Sequence, residues 1–113
     1  MTKIEINGEE YTLRLTTANL LDIEEKLGYN PIGLFIGMRT DKLPKLKDLL
    51  IVLHGSMQSL NHGISFAKVC ELFDQWCQEG HNQFDLIPIF LDVFVEGGFL
   101  NAEAEEEDEP KNA

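Results

Sequence analysis

Positive charge is scarce in this sequence: nine lysines and arginines stand against twenty aspartates and glutamates, a formal charge of −11 over 113 residues. Such a chain repels a phosphate backbone and gains nothing from counterion release, so no nucleic-acid partner is expected. Cysteine is nearly absent. Cys70 and Cys77 fall on one predicted helix roughly 10.5 Å apart by helical rise, beyond the ~7 Å that a disulfide spans between Cα atoms. Two free thiols suit a reducing cytosol. Long apolar runs are missing too, because Pro88 and Asp92 interrupt the stretch from Leu86 to Val95, well short of the ~20 residues of a bilayer span. The opening residues lack a signal-peptide core and read at once as a strand, so neither a membrane nor secretion is expected. The length fits one domain and excludes a multidomain enzyme.

What is present is a foldable pattern, with 43% hydrophobic residues and no internal repeat. Ile4 and Ile6, then Tyr11, Leu13 and Leu15, alternate with polar residues around Asn7-Gly8, the dipeptide suited to a type I′ turn. A two-residue loop there sets Ile4 opposite Tyr11, Ile6 opposite Glu9 and Glu5 opposite Glu10, with Ile4, Ile6, Tyr11 and Leu13 on one face. Thr16 or Thr17 caps a first helix carrying Leu20, Leu21, Ile23 and Leu27, stopped by Gly28 and expected to cover the hairpin. After Asn30-Pro31 a short apolar turn, residues 32–38, leads to a basic cluster of Arg39, Lys42, Lys45 and Lys47.

Pro44 is a favourable first helical position, and Leu46, Leu49, Leu50, Leu53, Met57 and Leu60 follow as one amphipathic helix, ending near Asn61-His62-Gly63. Ser65 caps the next, with Phe66, Val69, Cys70, Phe73, Trp76 and Cys77 as its buried stripe and Gly80 as its stop. These two helices are expected to pair antiparallel. Asp85 caps a last helix that tolerates Pro88 in its first turn and stops at Gly97-Gly98. Beyond residue 100 the composition changes: six of the seven residues from Glu103 to Glu109 are acidic, so residues 101–113 read as a disordered acidic tail on a globular domain of residues 1–100. The expected fold class is α+β, a hairpin packed on a small helical bundle.

Chemistry-bearing constellations are thin. Cys70, Cys77, His62 and His81 lack paired zinc-ligand spacing, and no serine or cysteine near His54, His62 or His81 sits in a nucleophile motif. Asp92 and Glu96 share a helical face, most simply as a solvated stripe. Gly28 and Gly33 lack the Lys-Ser/Thr of a phosphate loop. No cofactor, metal or catalytic residue is expected, and the chain is not expected to be an enzyme. The last helix stands out, since nine of the twelve residues from Phe84 to Val95 are apolar and surround most of its circumference. Either the chain buries that helix entirely, or it leaves Ile87, Phe90, Leu91 and Phe94, with Phe99 and Leu100, facing a partner.

The segments Lys3 to Leu13, Leu20 to Gly28, Asn30-Pro31 and the close Val93-Phe94-Val95-Glu96-Gly97-Gly98 occur in an order that resembles the small tail assembly chaperones of long, non-contractile-tailed phages and prophages of Gram-positive hosts. The resemblance implies a mostly helical, non-enzymatic protein. It would coat and solubilise the tape measure protein in the host cytoplasm, help recruit tail tube subunits, and be absent from the finished virion. Repeated weak contacts along one extended client would favour many copies side by side, so self-association as a homo-oligomer is expected. It also implies a longer frameshifted product, of which this chain would be the short form. A rival expectation from the acidic charge alone is a DNA mimic or regulatory adaptor that binds a basic partner.

Overall fold

A computed structural model describes residues 1–35 and 43–101. The expected Ile32–Met38 turn is therefore covered only in part, while Arg39, Lys42 and the acidic residues from Glu103 lie outside the described residues. Strands β1 (Lys3–Ile6) and β2 (Glu9–Thr12) pair antiparallel in the expected register, Ile4 to Tyr11 and Ile6 to Glu9. Asn7 and Gly8 have φ of 53° and 82°, the two positive values that a type I′ turn requires and that let its twist match the strands. The Glu5–Glu10 repulsion is eased by Lys3, whose Nζ lies 3.7 Å from Glu10 Oε1. Ile4, Ile6 and Leu13 are buried and Tyr11 is half-buried, so the apolar face is the one the alternation marks.

Helix α1 (Thr17–Leu27) starts at a capping box in which Thr16 and Asn19 satisfy each other's backbone N–H groups. It ends where Gly28, at φ 80°, donates to the Glu24 carbonyl. It packs chiefly on the next helix, where the spacing predicts a cover for the hairpin. Only Ile23 is fully buried and Leu21 points to solvent, because α1 touches its neighbour along a narrow line rather than a broad face. That neighbour, α2 (Leu46–Met57), begins after Lys45, later than the Pro44 start expected. Eight of its twelve residues are buried, from Leu49 to Leu53 and again at Gly55, Ser56 and Met57. It is thus the central helix rather than an amphipathic surface one, with Leu46 and Leu60, at the two ends of the expected stripe, exposed.

Helix α3 (Phe66–Gln78) is capped by Ser65, whose side chain accepts from Lys68 N–H. It buries Val69, Leu72, Phe73 and Trp76; Cys70 and Cys77 are half-buried free thiols and Phe66 is exposed. A single 3-10 turn, Gln83–Asp85, precedes α4 (Leu86–Glu96), and the capping differs from expectation. Asn82 caps the 3-10 turn through Phe84 N–H, and the Asp85 carboxylate reaches back to Asn82 N–H at 2.9 Å instead of capping α4.

In α4, Ile87, Phe90, Leu91 and Phe94 are 7%, 0%, 7% and 1% exposed, so the partner-facing alternative for these four is corrected: they are the chain's own core. Two strongly apolar helices, α2 and α4, cover one another, and Phe35 completes the lid with its ring edge-on to Phe94 at 5.4 Å. Each such side chain withdrawn from water contributes roughly 1.5–3 kcal/mol. Phe99 and Leu100 are half-buried and fold back rather than hang free. Gly98, at φ 84°, turns the chain so that Phe99 N–H donates to the Phe94 carbonyl at 2.9 Å, a Schellman closure that lays the Phe99 ring over Gly97.

Two glutamates fasten the hairpin to the helices. Glu79, just beyond α3, accepts from Asn7 N–H at 2.8 Å. Glu96, ending α4, accepts from Thr2 N–H at 2.7 Å and from the Thr2 hydroxyl.

Candidate functional site

With α4 interior, apolar surface open to a partner is found elsewhere. A recess of about 300 Å³ lies where the end of α1 and the first turn of α3 flank α2, lined by Lys26, Lys47, Ile51, His54 and Phe66. Its walls are mainly apolar. Ile51 forms the floor, and Phe66, 38% exposed, stands over it. The Phe66 ring meets His54 edge-on, centroids 5.7 Å apart.

The polypeptide holds Phe66 in place through the connection between α2 and α3. His54 Nε2 lies 2.9 Å from the Ile64 carbonyl, and the Gln58 amide donates to the same oxygen at 3.2 Å. A carbonyl only accepts, so Nε2 of His54 carries hydrogen. These two bonds fix the loop two residues before Phe66 and so set where α3 begins. The rim is cationic. Lys26 sits in the last turn of α1, 2.8 Å from Asp22 one turn earlier, and Lys47 lies in the first turn of α2 just after its N-cap, Lys45. Lysines at a helix start oppose the macrodipole and cost a few tenths of a kcal/mol or more, about 0.3–1 for a charge of the wrong sign. Asp48 offsets this, but its carboxylate also accepts from the Tyr29 hydroxyl at 2.9 Å. Burial first and that bond second push the Tyr29 phenol up to about 12.

Larger hollows of about 450 and 410 Å³ flank the hairpin, both bounded by Met1 and Glu96. In the larger, Leu13, Leu15 and Val93 are themselves buried, so it offers a visitor the exposed Met1 side chain beside Arg14 and Glu96. The Glu96 carboxyl is held below its usual range, chiefly because the Thr2 hydroxyl donates to it; its role there is to anchor β1. Asp92, its neighbour on the α4 face, is exposed.

The remaining titratable groups do not converge. His81 stacks on Trp76, ring centroids 4.3 Å apart and 11° from parallel, with its Nδ1 3.8 Å from Asp85. Burial, then Asp74 and Asp85, pushes the Cys77 thiol up, away from a reactive thiolate. Among the described residues no group of three or more histidine, cysteine, aspartate or glutamate side chains could hold a metal ion, and no helix is long and apolar enough to cross a membrane.

Of the residues that sequence reasoning offered for partner contact, the structure gathers Ile87, Phe90, Leu91 and Phe94 into the core and leaves Phe99 and Leu100 half-covered beside it. Lys47, of the expected basic cluster, does reach the recess. Lys26, Ile51, His54 and Phe66 were not singled out together. Their signal was Phe66 directly after the Ser65 cap: a large apolar side chain in a first helical turn overhangs the stripe below it and is easily left outside the core.

Residues 1–109 match a family described as a family of unknown function (DUF6096), and the chain belongs to it. No curated protein and no solved structure matches the chain.

Proposed function

We propose that the protein is a tail assembly chaperone of the phage type, acting by binding protein rather than by catalysis. In this reading it keeps the tape measure protein soluble in the host cytoplasm, helps bring tail tube subunits to it, associates with further copies of itself, and leaves before the virion is finished. The supporting observation is an open apolar recess topped by Phe66 on a molecule of formal charge −11. A holdase needs apolar surface that a client can reach, and self-repulsion that keeps its owner from precipitating. The segment order from the Asn7-Gly8 hairpin to Gly97-Gly98 supplies the link to phage tails.

Co-expression with a tape measure protein tests the reading. The expected result is a client that stays in the soluble fraction and co-purifies with this chain. A client equally insoluble with and without it would overturn the proposal.

A further inference from the structure

We propose that the recess between α1, α2 and α3 is a docking site for an acidic, apolar-anchored segment of a partner protein: one or two bulky aliphatic or aromatic side chains seated on Ile51 and Phe66, with flanking carboxylates on Lys26 and Lys47. This rests on the client-binding reading above and names the chemistry of the client. The volume, about 300 Å³, is at the small end of ligand pockets and suits an anchor rather than a whole helix. Charge complementarity selects the flanks. The chain has nine basic residues in 113, yet Lys26 and Lys47 both border this one recess, Lys47 in the electropositive first turn of α2. Placing lysines at a helix start opposes local stability, and such departures from local preference are expected where a site serves recognition.

The test exploits a conflict between the local and the overall charge. A molecule at −11 attracts a lysine-rich peptide through its general field and repels a glutamate-rich one. At physiological ionic strength that field is screened beyond about 8 Å, whereas contacts inside the recess persist. The probes are two labelled synthetic peptides with the same leucine and phenylalanine anchors, one flanked by glutamates and one by lysines, titrated with the full chain at physiological salt and read by fluorescence anisotropy. The glutamate-flanked peptide is expected to bind about five- to tenfold more tightly, the scale of a few exposed ion pairs gained rather than opposed.

K26E/K47E should reverse the preference. F66S should weaken both peptides by about tenfold or more, as loss of an apolar anchor contact does. Phe66 is more than half covered, so F66S should lower the melting temperature while the chain still folds, and K26E/K47E checks the same site with its apolar walls intact. Equal binding of both peptides, preference for the lysine-flanked one, or indifference to F66S would overturn the proposal. So would glutamate-peptide binding seen only after deletion of residues 103–113, because the recess would then belong to the chain's own acidic tail. The two readings fail separately. Tape measure protein solubilised equally by the full chain and by F66S removes the recess and leaves the chaperone standing, while an insoluble client beside an intact peptide preference does the reverse.

Discussion

Among the described glycines Gly55 has the least room for a side chain, and substituting it with alanine tests how α1 sits on α2. A Cβ built at Gly55 would lie 2.4 Å from Cγ1 and 2.5 Å from Cδ1 of Ile23, about an ångström inside ordinary contact. Cγ1 is close to the backbone of a β-branched residue with little rotamer freedom in a helix, so relief requires the helices to part. Overpacking of this kind costs about 1–3 kcal/mol, against which alanine returns about 0.8–1 kcal/mol of helix propensity. Because the clash falls on a stiff atom, the net should be a loss of about 1–2 kcal/mol. For a domain of this size that lowers the melting temperature by roughly 4–15 °C.

Urea unfolding followed by far-ultraviolet circular dichroism, with Trp76 fluorescence as second probe, measures the loss. The double-mutant cycle locates it. Ile23→Ala alone leaves a cavity and should cost about 2–5 kcal/mol. In that background the Gly55→Ala methyl partly refills the space and should become neutral or stabilising, a coupling of about 2 kcal/mol between the two positions. Gly55→Ala as stable as the parent chain, or a strictly additive pair, would refute the close α1–α2 crossing at this glycine.

Glu96→Gln tests the anchor of β1. The folded carboxyl lies below its ordinary 4.5, so its stabilisation is present above that value and is lost as pH falls through the lower, folded one. The variant should be less stable than the parent near neutrality, by at most about 1 kcal/mol because the pair is half exposed, and indistinguishable in strong acid; a pH-independent difference would contradict this. Tyr29, pushed up to about 12, favours the neutral phenol in the folded state, so its contribution is complete below 10 and lost as pH rises from 10 toward 12. Absorbance titration near 295 nm should show a late phenolate step that Tyr29→Phe removes, and one shared step at 10 would exclude it. Deleting residues 103–113 leaves 14 acidic and 8 basic residues, and a chaperone should still hold its client soluble. Loss of all partner binding on that deletion would favour the DNA-mimic alternative.

The hairpin was legible down to its register because Asn7-Gly8 restricts the turn to positive φ at both positions, and register follows once the loop length is set. Thr16, Gly28 and Ser65 were legible as helix ends for a similar reason: each supplies a local group or conformation that a helix terminus needs. Asp85 was misread because Asn82, three residues earlier, offers an equally good cap and a 3-10 turn fits between them. The burial of α4 was legible only as one of two alternatives. Periodicity identifies which side of a helix is apolar but not what will lie against it, and α2 looked amphipathic when its ends, Leu46 and Leu60, were counted with its buried middle. Once α2 is central, α4 has a cover, and the excess of apolar side chains near the carboxyl end no longer requires a partner.

The same reassignment explains why two sides of the recess come from helix ends. In a small bundle the helix middles bury one another, and terminal turns overhang the core with side chains that nothing behind them encloses. Phe66 opens α3 and Lys26 closes α1, and both flank a face of α2 that runs from Lys47 in its first turn to His54 in its last. The Phe66 end is defined by the His54 and Gln58 bonds to the Ile64 carbonyl, which fix the loop that launches α3. The Phe66 side of such a recess is positioned by backbone geometry, while its floor, Ile51, belongs to the core. Lys26 and Lys47 can change without unfolding the domain, whereas Ile51, Ile87, Phe90, Leu91 and Phe94 cannot. The proposed binding of a client would need contact residues that can vary apart from the core, and in this chain that division runs between Phe66 and α4.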